Sequence, residues 1–242
     1  MPYYKDDPTL VAAPMAPATE LAVPPEPQPR AAVNLYNRIG GLLDAAAAAV
    51  GVRTPVLIAS WLVESSGVPF VPNQAIIRFE VHHFYDSWGK SHTASFDDHF
   101  RFGGHAAVPG RVWQNHQFRQ ANADPFRPFH GDQAKEYAVL NFARGLAETA
   151  ALTSISIGGS QILVSNFHKL GYGSPREMFD AFQSDERFHV LGFLDFCGTT
   201  LLDDIKANDW VSFAGGYNGA ANAEAYGEKL HDTFEAIDPV FA

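Results

Sequence analysis

The sequence predicts an α+β fold, predominantly α-helical, with a small β element in its first half. Three observations carry this reading. Apolar residues recur at helical spacing over about 33–67 and again from about 133 to the C-terminus, whereas only 75–84 alternates with period two. A hydrophobic fraction of 46%, with nineteen Phe and four Trp in 242 residues, is enough for a packed core. Turn and cap signals fall between these stretches, where regular elements should stop.

Taken in order, residues 1–30 hold half of the sixteen prolines, many alanines and no apolar period. They read as a flexible, polyproline-prone tether ahead of one domain over 31–242. Leu35, Ile39, Leu42, Leu43 and Val50 mark an Ala-rich helix stopped by Gly51. A second helix opens with Thr54 as N-cap and Pro55 in its first turn, and ends at Gly67. Ile77, Phe79, Val81 and His83 then share one face of a strand whose other face carries Arg78, Glu80 and His82, one arm of a small hairpin.

Residues 86–131 show no clean period and hold five of the ten histidines, so they read as an irregular excursion that walls a cleft. Helices are expected over about 133–152, then, after the Gly158-Gly159 break, over 160–170 and 185–206. Two more are expected around Trp210 and Phe213 and along Tyr226, Leu230, Phe234 and Ile237. Ser174-Pro175-Arg176-Glu177 is a capping box.

Net charge is −10, from 17 Lys+Arg and 27 Asp+Glu, and no basic recognition motif is present. No nucleic-acid partner is therefore expected, although Arg101, Arg111, Arg119 and Arg127 lie among aromatic residues. A lone Cys197 excludes an internal disulfide and a Cys-based zinc pattern. No run approaches the roughly 18 apolar residues of a membrane span, and the first residues show no basic region followed by an apolar one, so no span and no signal peptide are expected. His82 and His83, adjacent on a strand, would face opposite ways, and no His-Glu-x-x-His occurs; the expectation is no metal and no cofactor.

Glu64 is the residue that points to chemistry. It follows Leu57, Ser60 and Trp61 at i+7, i+4 and i+3, an acid on an otherwise apolar stripe. Desolvation at such a place favours the protonated carboxyl group, which is the form of a proton donor; an ordinary solvated Glu at a helix end is the alternative. Glu80, beside Arg78 and His82, suits an assisting carboxylate or an ion pair with Arg78. Gly158-Gly159 permits close backbone approach, and Gln161 offers an amide to a ligand. Tyr217-Asn218 before Gly219 can stack on and hydrogen-bond a sugar, or simply turn the chain.

Three motifs in this order, Glu64-Ser65-Ser66-Gly67, Gly158-Gly159-Ser160-Gln161-Ile162 and Gly216-Tyr217-Asn218-Gly219, resemble the lysozyme-like superfamily. The nearer resemblance is to the N-acetylmuramidase domain of phage endolysins and other wall-attacking proteins. It is carried by Val63-Glu64-Ser65-Ser66-Gly67, Phe79-Glu80-Val81-His82-His83-Phe84, and Asp209-Trp210 with Phe213-Ala214, Tyr217-Asn218-Gly219 and Lys229-Leu230, over about 33–237. Ser154, Ser156, Gly158, Gln161, Ile162 and Asn166 fit the glycine motif, while Ile157 stands for Trp, Ser160 for Phe and Leu163-Val164 for Met-Gly.

The resemblance implies a lysozyme-like fold that hydrolyses the β-1,4 bond between N-acetylmuramic acid and N-acetylglucosamine in peptidoglycan. Glu64 would be the general acid and Glu80 the second carboxylate, with His82, Ser156, Gly158, Gln161, Tyr217 and Asn218 contacting the glycan. A lytic transglycosylase and a catalytically silent wall-binding or scaffold piece of a phage tail or contractile device remain alternatives, the last with residues 1–30 as its attachment. Such a protein, made in the cytoplasm, would reach the wall through lysis, a phage particle or a contractile device.

Overall fold

The computed structural model describes residues 3–65, 70–71 and 74–242, apart from the side chains of Glu64, Ser65 and Asn218. Its helices are α1 (Pro8–Ala12), α2 (Pro27–Val50), α3 (Thr54–Ser65), α4 (Val81–Ser87), α5 (Thr93–His99), α6 (Gln133–Thr153), α7 (Pro175–Ser184), α8 (Arg187–Lys206), α9 (Trp210–Asn218) and α10 (Ala223–Ile237). Its strands are β1 (Phe70–Val71), β2 (Gln74–Ala75), β3 (Ile77–Phe79), β4 (Phe100–Arg101), β5 (Gln117–Phe118), β6 (Arg127–Pro128), β7 (Ile155–Ile157) and β8 (Ile162–Leu163). The chain divides into two compact units, one made of Met1–Pro69 with Asp185–Ala242 and one of Phe70–Ser184.

Among the described residues, the regular elements of the first unit are all helical. Leu35, Ile39, Leu42 and Leu43 of α2 are buried with Leu57, Ile58 and Trp61 of α3, Leu191 and Leu194 of α8, Phe213 of α9 and Leu230 of α10. Gly51 closes α2 in the left-handed conformation at φ 77°, as its position after Val50 predicts. Thr54 is not a cap: it lies inside α3, and its hydroxyl donates to Asp44 Oδ1 at 2.6 Å. Gly67, the expected stop of α3, lies outside the described residues.

Residues 1–30 depart from the tether the sequence suggested. Leu10 is 2% exposed and belongs to the core of the first unit. Asp195 accepts from the backbone N–H groups of Tyr4 (2.7 Å) and Lys5 (3.2 Å), and Asn37 exchanges two hydrogen bonds with the backbone of Leu21. Gly41 explains the docking: its N–H donates to the Met15 carbonyl at 3.0 Å, and a Cβ there would lie 2.3 Å from the Ala16 oxygen. α2 kinks just before this contact, at Ile39. A proline-rich composition signals loss of helix, but the few apolar anchors that hold the segment down are too sparse to show a period.

The second unit holds all eight strands. β3, β7 and β8 form an antiparallel sheet in which Arg78 pairs with Ser156 and Ser156 with Leu163. β4, β5 and β6 form another, and β1 pairs with β2. Between the strands, Phe79, Phe84, Phe96 and Phe100 are fully buried and stack on one another at centroid distances of 5.3–6.3 Å. The excursion 86–131 is irregular, as expected, but is interrupted by α5 and by all three strands of the β4–β5–β6 sheet.

Two expectations are corrected here. The strand over 75–84 stops at Phe79: the Glu80 N–H donates to the Ser154 carbonyl at 2.8 Å, and the chain turns into α4, burying Val81 and Phe84 at i and i+3. The helix expected over 160–170 is instead β8 and a short 3₁₀ turn, Val164–Asn166. Gly158 (φ 75°) and Gln161 (φ 46°) close a hairpin between β-branched Ile155, Ile157 and Ile162, all buried.

Candidate functional site

The first unit carries Glu64, Tyr217 and Asn218. α3 is enclosed almost all round: Val56, Leu57, Ile58, Ala59, Ser60 and Trp61 are each no more than 3% exposed. The apolar stripe is therefore one part of a helix buried on every side from Val56 to Trp61, and Glu64 sits in its last turn. The Glu64 side chain lies outside the described atoms. The Lys229 ammonium donates to the Val63 carbonyl at 3.4 Å, a cation at the negative end of the helix. Tyr217 packs its ring against Phe193, Phe196 and Phe213 at 5.1–5.6 Å, which fixes α9 against α8.

The second unit brings together Glu80, His82, Ser156, Gly158 and Gln161. Glu80 stands at the start of α4, directly after β3. Its Oε1 accepts from Arg78 Nε at 2.8 Å, so the ion pair left open by the sequence does form. Its Oε2 faces His82 Nδ1 and His116 Nδ1, each at 3.7 Å. Ser156 lies beside Arg78 in the sheet. The Gln161 side-chain amide donates to the Gly158 carbonyl at 2.9 Å, so it braces the turn it was expected to present to a ligand.

Because His82 and His83 are on a helix rather than a strand, they do not point to opposite faces; their rings lie 4.2 Å apart. Burial, with help from the neighbouring His83, lowers the His82 pKa below its usual value despite the pull of Glu80. Burial also drives His116 down to about 4, against the Val112 carbonyl and Glu80, which favour its charged form. Both rings are neutral at neutral pH.

Sequence reasoning missed three residues of this cluster. His116 is fully buried at its side chain, and its Nδ1 lies 2.8 Å from His130 Nε2. His130 Nδ1 lies 2.7 Å from Glu136 Oε1, and Glu136 Oε2 accepts the Phe79 N–H at 2.9 Å. Their spacing in the chain forms no ligand pattern; a Glu on the buried face of α6, between Tyr137 and the His-rich excursion, was the one available sign. A cavity of about 540 Å³ is lined by Phe118, Arg119, Arg127, Phe129, Lys135 and Val139 and includes none of the site residues expected from the sequence.

The family model described as Muramidase, N-acetylmuramidase, matches residues 53–238, well over half of the chain. No curated protein matches. Among solved structures, the crystal structure of Burkholderia AP3 phage endolysin is similar to this chain with a TM-score of 0.61 and 26% identity, over 83% of this chain and 70% of that one. The helical body with small antiparallel sheets is thus a lysozyme-like α+β fold.

Proposed function

The chain belongs to the N-acetylmuramidase family and is a peptidoglycan hydrolase, and from that premise we propose that it cleaves the β-1,4 bond after N-acetylmuramic acid with Glu64 as general acid. The observation that carries this reading is the position of Glu64 in the last turn of a helix whose preceding residues, Val56 to Trp61, are buried, inside the matched region 53–238. A general acid must hold its proton until a leaving glycosidic oxygen can take it, and desolvation is the physical means of raising a carboxyl pKa to that end.

Glu80 is the second carboxylate. Arg78 Nε donates to one of its oxygens at 2.8 Å and so holds the carboxyl group in place to stabilise an oxocarbenium-like centre or orient a water. Ser156, Gly158, Gln161, Tyr217 and Asn218 are the glycan-contacting residues of this reading, on the strength of their match to the family's motifs. His82, whose Nδ1 lies 3.7 Å from Glu80 Oε2, is a further glycan contact in this reading.

Zymography and turbidity loss on purified sacculi test the assignment. Glu64→Gln is expected to lower activity by about 10²–10⁴-fold, the range for loss of a positioned acid, with an unchanged circular dichroism spectrum. Retention of wild-type lysis in Glu64→Gln would refute it. Mass spectrometry of the products separates hydrolysis, which leaves reducing muramic ends, from transglycosylation, which leaves anhydro ends.

A further inference from the structure

We propose that Glu80, His82 and His116, with His130 set against His116, form a binding site for a divalent transition-metal cation of the zinc type, which pins the irregular excursion to the start of α4. One ligand atom each of Glu80, His82 and His116 lies within 4.8 Å of the others. All of these residues belong to the second unit.

The hydrogen-bond accounting leads to the cation. His116 Nε2 faces the Val112 carbonyl at 3.0 Å and must carry its hydrogen there, so its Nδ1 is a bare lone pair. His130 Nδ1 faces the Glu136 carboxyl at 2.7 Å. With a hydrogen on that nitrogen, His130 Nε2 is bare too, and the two lone pairs meet at 2.8 Å. One added positive charge resolves the conflict, either a proton held by the Glu136–His130 pair or a metal cation.

A proton answers only that contact. His82 Nδ1 is buried and has no hydrogen-bond partner among the described residues. Glu80 Oε2 stands 3.7 Å from both His82 Nδ1 and His116 Nδ1, too far for a hydrogen bond to either. Tetrahedral zinc, with ligands at about 2.0–2.2 Å, holds neighbouring ligand atoms about 3.3 Å apart, so the two gaps about Glu80 Oε2, each 3.7 Å, are near those of an N/O cation site.

The surroundings are those of a ligand set as well. His116 is backed by the Val112 carbonyl and His130 by Glu136, the outer hydrogen bonds that fix the tautomer of a metal-bound imidazole. The ligands come from α4, from the excursion and from the segment before α6, which the two-residue strands β4, β5 and β6 otherwise hold weakly.

The test uses the full chain, stripped with a strong chelator and dialysed. Titration with zinc chloride by calorimetry, metal analysis after gel filtration and the visible spectrum after cobalt(II) addition read the site without reference to lysis. One equivalent is expected to bind, with a tetrahedral cobalt spectrum and a melting temperature that rises with zinc and falls again with chelator. His82→Gln and Glu80→Gln should each weaken binding at least tenfold, while exposed His231→Ala leaves it unchanged. His116→Ala serves only if its circular dichroism matches wild type. Absence of stoichiometric metal in wild type, or full affinity in both His82→Gln and Glu80→Gln, overturns the proposal and leaves a proton in the His116–His130 contact. Loss of lysis in Glu64→Gln bears on the hydrolase reading alone and does not touch this one.

Discussion

At the scale of single residues, Asp195 shows how burial competes with hydrogen bonding. It accepts two backbone N–H groups, from Tyr4 and Lys5, which favour its charged form, yet burial outweighs them and raises its pKa to about 6 from 3.8. The folded protein therefore binds a proton here that the unfolded chain has already lost. The stabilisation from this proton is fully present below about pH 4 and is lost as pH rises through about 6. Asp195→Asn keeps an acceptor for the Tyr4 N–H and removes the charge. It is expected to gain on the order of 1–2 kcal/mol over wild type at pH 7, after allowance for solvent screening, and to flatten the stability profile between about pH 4 and 6. Urea denaturation at a series of pH values checks this; parallel profiles for the two proteins would contradict it.

At the scale of elements, long helices were legible and short ones were not. α2, α6, α8 and α10 repeat an apolar face for several turns, so Leu35, Leu42, Leu140, Leu194 and Leu230 were assigned to the right kind of element. α4 and the β7–β8 hairpin were misread because a handful of residues fits both periods: Val81 and His83 alternate like a strand, while Leu163, Phe167 and Leu170 are spaced like a helix. What decides between them is distant. The Ser154 carbonyl captures the Glu80 N–H, and β3 captures β7, neither of which a local pattern contains. The site divides the same way. Glu64 and Glu80 could be named from motifs, whereas Glu136, His116 and His130 meet only after folding. The hairpin also makes a prediction. Gly158 holds φ 75°, so Gly158→Ala should cost about 1 kcal/mol of unfolding free energy, read as a lower urea midpoint at unchanged slope. Because the same turn positions Gln161, activity on sacculi should fall with it, and an unchanged midpoint would show that the turn tolerates a side chain.

At the scale of the whole molecule, the two ends of the chain close one unit, and a continuous segment, Phe70–Ser184, forms the other. The closure of the first unit rests on a few contacts far apart in sequence: Arg38 holds Glu186 through two hydrogen bonds, at 3.1 and 2.9 Å, and Arg187 reaches the Leu10 carbonyl at 2.8 Å. The N-terminal segment contributes Leu10 to the core, worth about 1.5–3 kcal/mol for a fully buried side chain of its type. It also covers Asp195, which would otherwise lose both of its donors. Gly41 is the residue that lets this happen, since a Cβ would meet the Ala16 and Pro14 oxygens at 2.3 and 2.6 Å. The clash is with backbone rather than with a flexible side chain, so rotamer change cannot relieve it, and the segment must lift. Gly41→Val should therefore release the segment ahead of α2 without altering any catalytic group. The expected signs are rapid proteolytic cleavage within that segment, a midpoint lower by on the order of 2–3 kcal/mol in stability, and loss of the pH dependence carried by Asp195. Cleavage ahead of α2 as slow as in wild type would mean that the segment is held by something other than its seat on α2.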